Sequence, residues 1–297
     1  MKTDRPYFLR SLVKKLTILM MPWMIISCFE KETLDINPNN DNIVLNDLDR
    51  YIDENYTQKY NIAVRYKYDP KFVNPGQNAA PVLVENVRPM LDFIQEFWID
   101  PYSEVENGET YFKRYVPSEL VFLGGLIYNG DGTVTLGTAD AGARITYTDV
   151  NSIDPANKAW RTLQLQVCYH EFAHIMHQEF KLPSNFEKIT ITGYTGPGSW
   201  YTLTDDDALI RGFVSPYATL NANEDFAENV AFYLFDPDYF EHYINLTAGC
   251  TTADCEAKNE GRKKIQEKIN AILDHYDKSV KVDLSKLREA IQSRLPK

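Results

Sequence analysis

An α+β fold is what this sequence predicts: a small mixed sheet, then a central helix, then a helical C-terminal part. Three observations carry that expectation. Strand-like runs fall in the first half of the chain. The segment around residues 163–177 is apolar on most sides (Leu163, Leu165, Val167, Phe172, Ala173, Ile175 and Met176), as a buried helix is. Beyond residue 224 the apolar residues recur at helical spacing almost to the end.

Taken in order, Asn46 reads as a helix cap before Leu48, Tyr51, Ile52 and Tyr56 at helical spacing. Asn61 to Tyr68 alternates Ile62, Val64, Tyr66 and Tyr68 on one side, a strand. Pro81 to Trp98 reads as a long helix, with Pro89 a kink or a late start. Glu119 to Tyr128 is a buried strand broken at Gly124-Gly125, Asn129 to Gly132 a turn, and Thr133 to Gly137 the returning strand. Arg144 to Val150 is a further strand and is expected at the sheet's edge, where an extended peptide could add to it. Three or four strands, interrupted by one helix, thus precede the central helix. Residues 181–215 show no clear period and are read as a loop framing a pocket. The acidic run Asp205-Asp206-Asp207 reads as a solvated helix cap, because it lacks the glycine and spaced oxygens of a calcium loop. Helices follow at Glu224 to Leu234, Glu256 to His275 and Asp283 to Leu295.

The chain has 297 residues, 44% apolar and 13% aromatic, enough for a substantial core. Its net charge of −11, with no basic stripe, argues against a nucleic-acid partner. The N-terminus is basic (Lys2, Arg5, Arg10, Lys14, Lys15), then apolar from Leu16 to Ile26, too short to span a membrane and suited to a signal-peptide core. It ends in Ile25-Ile26-Ser27-Cys28, which resembles a bacterial lipobox with Cys28 as the lipidated residue, implying attachment to a membrane by lipid rather than by a spanning helix. The expected organisation is a lipoprotein signal peptide at 1–28, a polar tether at 29–45 and a single domain at 46–297. Cys250 and Cys255 bracket a short polar loop and are expected to pair. Cys168 is read as a buried core thiol.

Three of the five histidines fall within residues 170–177, inside His170-Glu171-Phe172-Ala173-His174-Ile175-Met176-His177. His170 and His174 lie one helical turn apart and can reach one metal ion. Glu171 points about 100° further round, where a general base for a water beside that ion would stand. A catalytic zinc usually takes three protein ligands. His177 lies one turn too far along a straight helix to converge on the ion, so a supporting or packing role suits it better. The metzincin pattern would require Gly at 177 and His at 180, where this chain has His177 and Phe180. The stretch around Glu224 and Glu228 offers two carboxylates one turn apart on an otherwise apolar helix, and either could be the third ligand.

His170-Glu171-Phe172-Ala173-His174, then Gly212-Phe213-Val214-Ser215 with Tyr217-Ala218, then Glu224-Asp225-Phe226-Ala227-Glu228 resembles the gluzincin metallopeptidases of the lethal-factor-like kind. With the lipobox, the resemblance narrows to the substrate import-associated zinc metallohydrolase lipoproteins, also called the "putative zinc-binding metallopeptidase" family. That resemblance covers most of the chain after the leader. It implies a zincin-like domain and one Zn2+ held by His170, His174 and Glu224. Glu171 is then the general base, and Tyr217, seven residues before Glu224, donates to the oxyanion. Glu228 and His177 become supporting residues outside the ligand set. It further implies an outer-membrane location facing the periplasm or the cell surface, a peptide or protein substrate, and an association with an import complex. Two other functions fit the same residues: hydrolysis of a non-peptide amide, and peptide binding without catalysis. The intact Glu171 speaks against the last, since a binder has no use for a base.

Overall fold

A computed structural model describes residues 45–129, 134–135, 137–140 and 143–296. The leader with Cys28, the tether up to residue 44 and most of the turn at 129–132 lie outside the described residues. Asn46 caps helix α1 (Asp47–Ile52), its side chain accepting from the Asp49 amide at 2.7 Å. The helix runs on through a π-helical turn (Asp53–Thr57) and a last turn, Gln58–Tyr60. The next strand, β1, is only Ala63–Arg65, shorter than the alternation at 61–68 suggested. Helix α2 (Val84–Ile94) starts before Pro89 and carries it inside, then continues through a π-helical turn, Gln95–Ile99. Pro81 is not helical, since it bridges Leu123 across the chain.

Among the described residues, α2 runs on into Asp100–Ser103, and the first half holds a separate helix that periodicity did not show. Helix α3 (Gly108–Tyr115) follows Asn107, whose φ of 63° gives the chain a turn-like start that hid the helix. Two sheets follow. The larger has strands β1, β2 (Glu119–Phe122), β6 (Arg144–Tyr147) and β5 (Gly137–Asp140), in the order β1-β2-β6-β5. The first three are parallel and β5 is antiparallel to β6, so the sheet is mixed. The smaller sheet is the antiparallel pair β3 (Ile127–Tyr128) and β4 (Val134–Thr135). Gly124 permits the break between β2 and β3, because a Cβ there would overlap Pro81 O and Asn151 Nδ2. Register at one end of the main sheet is set by Glu119. It accepts from Arg65 Nε at 2.7 Å and Arg144 Nε at 2.6 Å, one arginine from each flanking strand.

The expectation that Arg144 to Val150 forms the edge strand is corrected here. The strand stops at Tyr147, and both its backbone edges are used, by β2 on one side and β5 on the other. The outer antiparallel strand is Gly137–Asp140. Its short run Gly-Thr-Ala-Asp has no apolar alternation, so periodicity alone could not find it.

The second half is helical. The central helix α4 (Lys158–Phe180) leads to the 181–215 segment, which contains two short 3₁₀ turns (Phe186–Ile189 and Trp200–Thr202) and helix α5 (Asp205–Arg211). The acidic triplet is the first turn of α5, with Thr204 and Asp207 forming a reciprocal capping box. Helices α6 (Ala222–Phe235), α7 (Tyr239–Tyr243), α8 (Ala253–His275) and α9 (Leu284–Gln292) complete the chain. From Leu45 onward these elements form one compact unit around a large apolar core, with a smaller cluster of Phe72, Val121, Leu123 and Ile127 beside the sheet. No described helix is long and apolar enough to cross a membrane.

Cys250 and Cys255 are disulfide-bonded just ahead of and within the first turn of α8, and Cys168 is buried and free. The bridge closes a loop of only a few residues, so its chain-entropy contribution is about 2 kcal/mol. A Cys250→Ser/Cys255→Ser variant should therefore lose about that much in chemical denaturation, with no change in metal content.

Candidate metal centre

The back of α4 is pinned before its front is used. Asn157 caps it, accepting from the amides of Ala159 (2.9 Å) and Trp160 (3.3 Å). Trp160 Nε1 donates to Asp149 O, and the buried Gln164 Nε2 donates to Thr148 O, each at 3.0 Å, which ties the helix to the end of β6. Tyr169 Oη donates to Phe97 O at 2.6 Å. Phe172 sits among Trp98, Tyr102, Tyr111 and Phe112, with ring centroids 5.6–5.8 Å away. Phe172 is two residues from both His170 and His174, so on a helix it faces away from them. The aromatic seat therefore turns the two imidazoles toward α6. There Asn221 caps the incoming helix, accepting from the amides of Asn223 (2.8 Å) and Glu224 (3.0 Å), and so places Glu224 in the first turn.

Three side-chain atoms converge. His170 Nε2 and His174 Nε2 are 2.9 Å apart, and each is 3.1 Å from Glu224 Oε2. One donor atom from each residue lies within 4.8 Å of the others; among the described residues this is the one His/Cys/Asp/Glu group so placed. Tetrahedral zinc with ligands about 2.0–2.2 Å away would set its donors roughly 3.4 Å apart, a few tenths of an ångström from what is seen. Two imidazoles and one carboxylate are also the donor types that zinc takes. The residues present fit the ion.

Both imidazoles are held from behind. His170 Nδ1 lies 2.7 Å from Glu228 Oε1, and Glu228 is 1% exposed. The same carboxylate accepts from Ser215 Oγ at 2.6 Å and from Gln166 Nε2 at 3.3 Å. Ser215 Oγ in turn accepts from the Ala218 amide at 3.1 Å. His174 Nδ1 lies 2.9 Å from His177 Nε2. With a proton on Nδ1 of each histidine, Nε2 of both is left free to ligate. His177 must then accept, which requires it neutral. Burial and the neighbouring His174 push its pKa down to about 4, so it is. A His177→Ala protein should bind zinc about 10–100-fold more weakly in chelator competition while still holding one ion per chain at saturation.

The electrostatics of the cluster call for positive charge. Burial works against a charged His170, but hydrogen bonds to Glu224 and Glu228 outweigh it and raise its pKa to about 10. Burial would raise the Glu224 carboxyl, yet His170 and His174 hold it well below the usual range. Glu171, one residue round the helix, is pushed up by burial and by Glu224 and Glu228, against a pull from the two histidines. A raised carboxyl is a better proton acceptor near neutral pH. Tyr217 stands beside the site with its ring 5.8 Å from that of His170 and 4.9 Å from that of Trp200. Burial and the nearby Glu224 raise its phenol pKa, so it stays protonated and able to donate. A cavity of about 460 Å³ opens past His177, bounded by Lys181, Asn185, Phe186, Lys188 and Asn223.

The family described as "Putative zinc-binding metallo-peptidase" matches residues 41–285, more than four-fifths of the chain. The chain belongs to this family. A crystal structure of a protein described as a putative zinc-binding metallo-peptidase, from Bacteroides caccae, superposes with a TM-score of 0.66. It shares 26% identity, and the match covers 83% of this chain and 90% of that one. No curated protein matches. The α+β fold is thus shared with a protein described as a putative zinc-binding metallo-peptidase, and zinc metallohydrolase is the functional class the family's description indicates.

Of the residues singled out in the sequence, the metallopeptidase fold gathers His170, His174 and Glu224 at one point, with Glu228, His177 and Tyr217 around them. Glu228 is one turn along α6 from Glu224 and touches only the far side of His170. Cys250 and Cys255 lie apart from this centre, at the start of α8. Four neighbours were given no role: Gln166, Ser215, Asp225 and Lys268. Ser215 and Asp225 stood inside the motifs of the resemblance, and Lys268 left a signal of its own. It occupies the buried stripe of α8 between Ile265, Ile269 and Ile272, where a lysine is out of place.

Proposed function

We propose that the protein is a gluzincin-type metallopeptidase that cleaves peptide bonds, using Glu171 as general base. The observation that supports this most is the convergence of His170, His174 and Glu224 with Glu171 on the same turn of a buried helix. A zinc ion held there would supply Lewis acidity, acidifying a water and polarising the scissile carbonyl. The chain's own groups do the rest. Glu171 takes a proton from the attacking water and hands it to the leaving nitrogen. The Tyr217 hydroxyl donates a hydrogen bond to the oxyanion as it forms, a contribution of about 3 kcal/mol for a single donor in other enzymes. Glu228 and His177 keep the imidazoles in the required tautomer and orientation. Gly137–Asp140, the outer strand of the sheet among the described residues, is the backbone along which an extended peptide would pair.

The lipobox resemblance at Ile25 to Cys28 supports attachment to the outer membrane, and the family resemblance supports a role beside nutrient importers. Cys28→Ser should move the protein from the membrane to the soluble fraction. The activity is tested by incubating purified protein with a mixed peptide library, with zinc and after chelation, and reading new termini by mass spectrometry. Cleavage that disappears with the metal and returns on adding zinc is expected. One zinc per chain with no peptide cleaved would transfer the reading to a non-peptide amide or to binding alone.

A further inference from the structure

We infer that Lys268 is a positioning residue for Glu224, acting through Asp225. The inference rests on Glu224 being the third ligand. Glu224 and Asp225 are consecutive in α6 and so point about 100° apart. Glu224 faces the two histidines, while Asp225 faces helix α8 and is fully buried there. Lys268 Nζ, also fully buried, lies 2.7 Å from Asp225 Oδ2. It donates to Gly212 O at 2.8 Å and sits 3.8 Å from the centroid of the Phe213 ring. Tyr194 Oη donates to the same Oδ2 at 2.8 Å, and Asn229 Nδ2 donates to Oδ1 at 2.9 Å. Both carboxylate oxygens of Asp225 are thus held, Oδ2 by two partners and Oδ1 by one. Nor can α8 drift, because Gly261 lets it close onto α5 so tightly that a Cβ would overlap Leu209 O.

The geometry explains why rotation of α6 matters. A side-chain tip lies about 5–6 Å from a helix axis, so a 10° turn of α6 would move the Glu224 carboxylate by about 1 Å. Metal–ligand distances tolerate roughly 0.2 Å. A clamp one residue away is therefore well placed to set the ligand. Buried ion pairs add little net stability compared with apolar packing, and their better-attested use is to specify register. The clamp also joins Tyr194 and Gly212, both in the 190–213 segment, to the ligand helix.

The test compares Lys268→Met with Arg288→Met. Arg288 secures the opposite end of α6 through Tyr233 O and Pro237 O, far from the ligands. Zinc affinity is read by chelator competition well below the unfolding temperature, and ligand geometry by the visible spectrum of the cobalt-substituted protein. Lys268→Met should lose about tenfold or more in zinc affinity and shift the cobalt bands. Arg288→Met should lower the unfolding temperature but leave both readouts within about twofold. Equal changes in the two variants, or none in Lys268→Met, would overturn the inference. Should Lys268→Met not fold, Tyr194→Phe removes one hydroxyl from the clamp; a smaller affinity loss in the same direction supports the inference, and an unchanged cobalt spectrum and affinity overturn it. Glu224→Ala serves as reference. If it binds zinc normally, the ligand assignment itself fails. If it loses zinc while the clamp variants do not, only the positioning role is overturned.

Discussion

Glu171→Gln should cut peptide hydrolysis by roughly 10²- to 10⁴-fold while the protein keeps its full complement of zinc. The substitution is nearly isosteric and removes only the capacity to take a proton. Glu171 is not among the converging donors, so metal content should not follow activity down. The carboxyl sits among two histidines and two further glutamates, with burial raising its pKa. The acid limb of the pH–rate profile that belongs to Glu171 should vanish in the variant's residual activity. Metal analysis beside single-substrate kinetics decides the matter. A Glu171→Gln enzyme within threefold of the parent would remove Glu171 from the mechanism.

Glu224→Ala and Glu228→Ala should separate sharply, although both remove a carboxylate from the same face of the same helix. Glu224 carries the one carboxylate oxygen that both imidazole Nε2 atoms approach, each at 3.1 Å. Its loss leaves two ligands and no compensating charge, and stoichiometric zinc should not survive dialysis. Glu228 touches only Nδ1 of His170 and is itself held by Ser215 and Gln166. Its loss should weaken zinc by about 10–100-fold, with one ion still bound at saturation. Because Glu228 is almost fully buried, removing it also strands the Ser215 hydroxyl, at a cost of about 1–3 kcal/mol in stability. The reverse pattern, with zinc lost from Glu228→Ala and kept by Glu224→Ala, would show that the two roles are exchanged.

Much of this centre was legible before any coordinates. His170, Glu171 and His174 lie within one helical turn, and local geometry alone decides what they can share. Asn46 and the acidic start of α5 were legible for the same reason, since caps involve residues three apart. Glu224 was found by its spacing from Tyr217 within a resemblance, not by local rules. Its partners lie about fifty residues earlier in the chain, and nothing nearby says which of two glutamates will face them. The edge strand was misplaced because pairing partners are chosen by the sheet as a whole, and Gly137–Asp140 has no side-chain pattern of its own. The extra helix at Gly108 was hidden by a left-handed asparagine that reads as a turn.

The sequence by itself determined the chemistry on offer: two imidazoles and a base on one buried helix, and a carboxylate pair on another. Local rules left open which carboxylate meets the imidazoles, and the resemblance pointed to Glu224; the tertiary structure brings Glu224 Oε2 to both Nε2 atoms, sets Glu228 behind His170 and turns His177 to His174. The reason is physical. Residues on one helical turn are placed by the backbone repeat, whereas residues on different helices are placed by packing. Here packing means Phe172 seated among four aromatic rings and Asp225 held by a buried lysine from the far end of the chain.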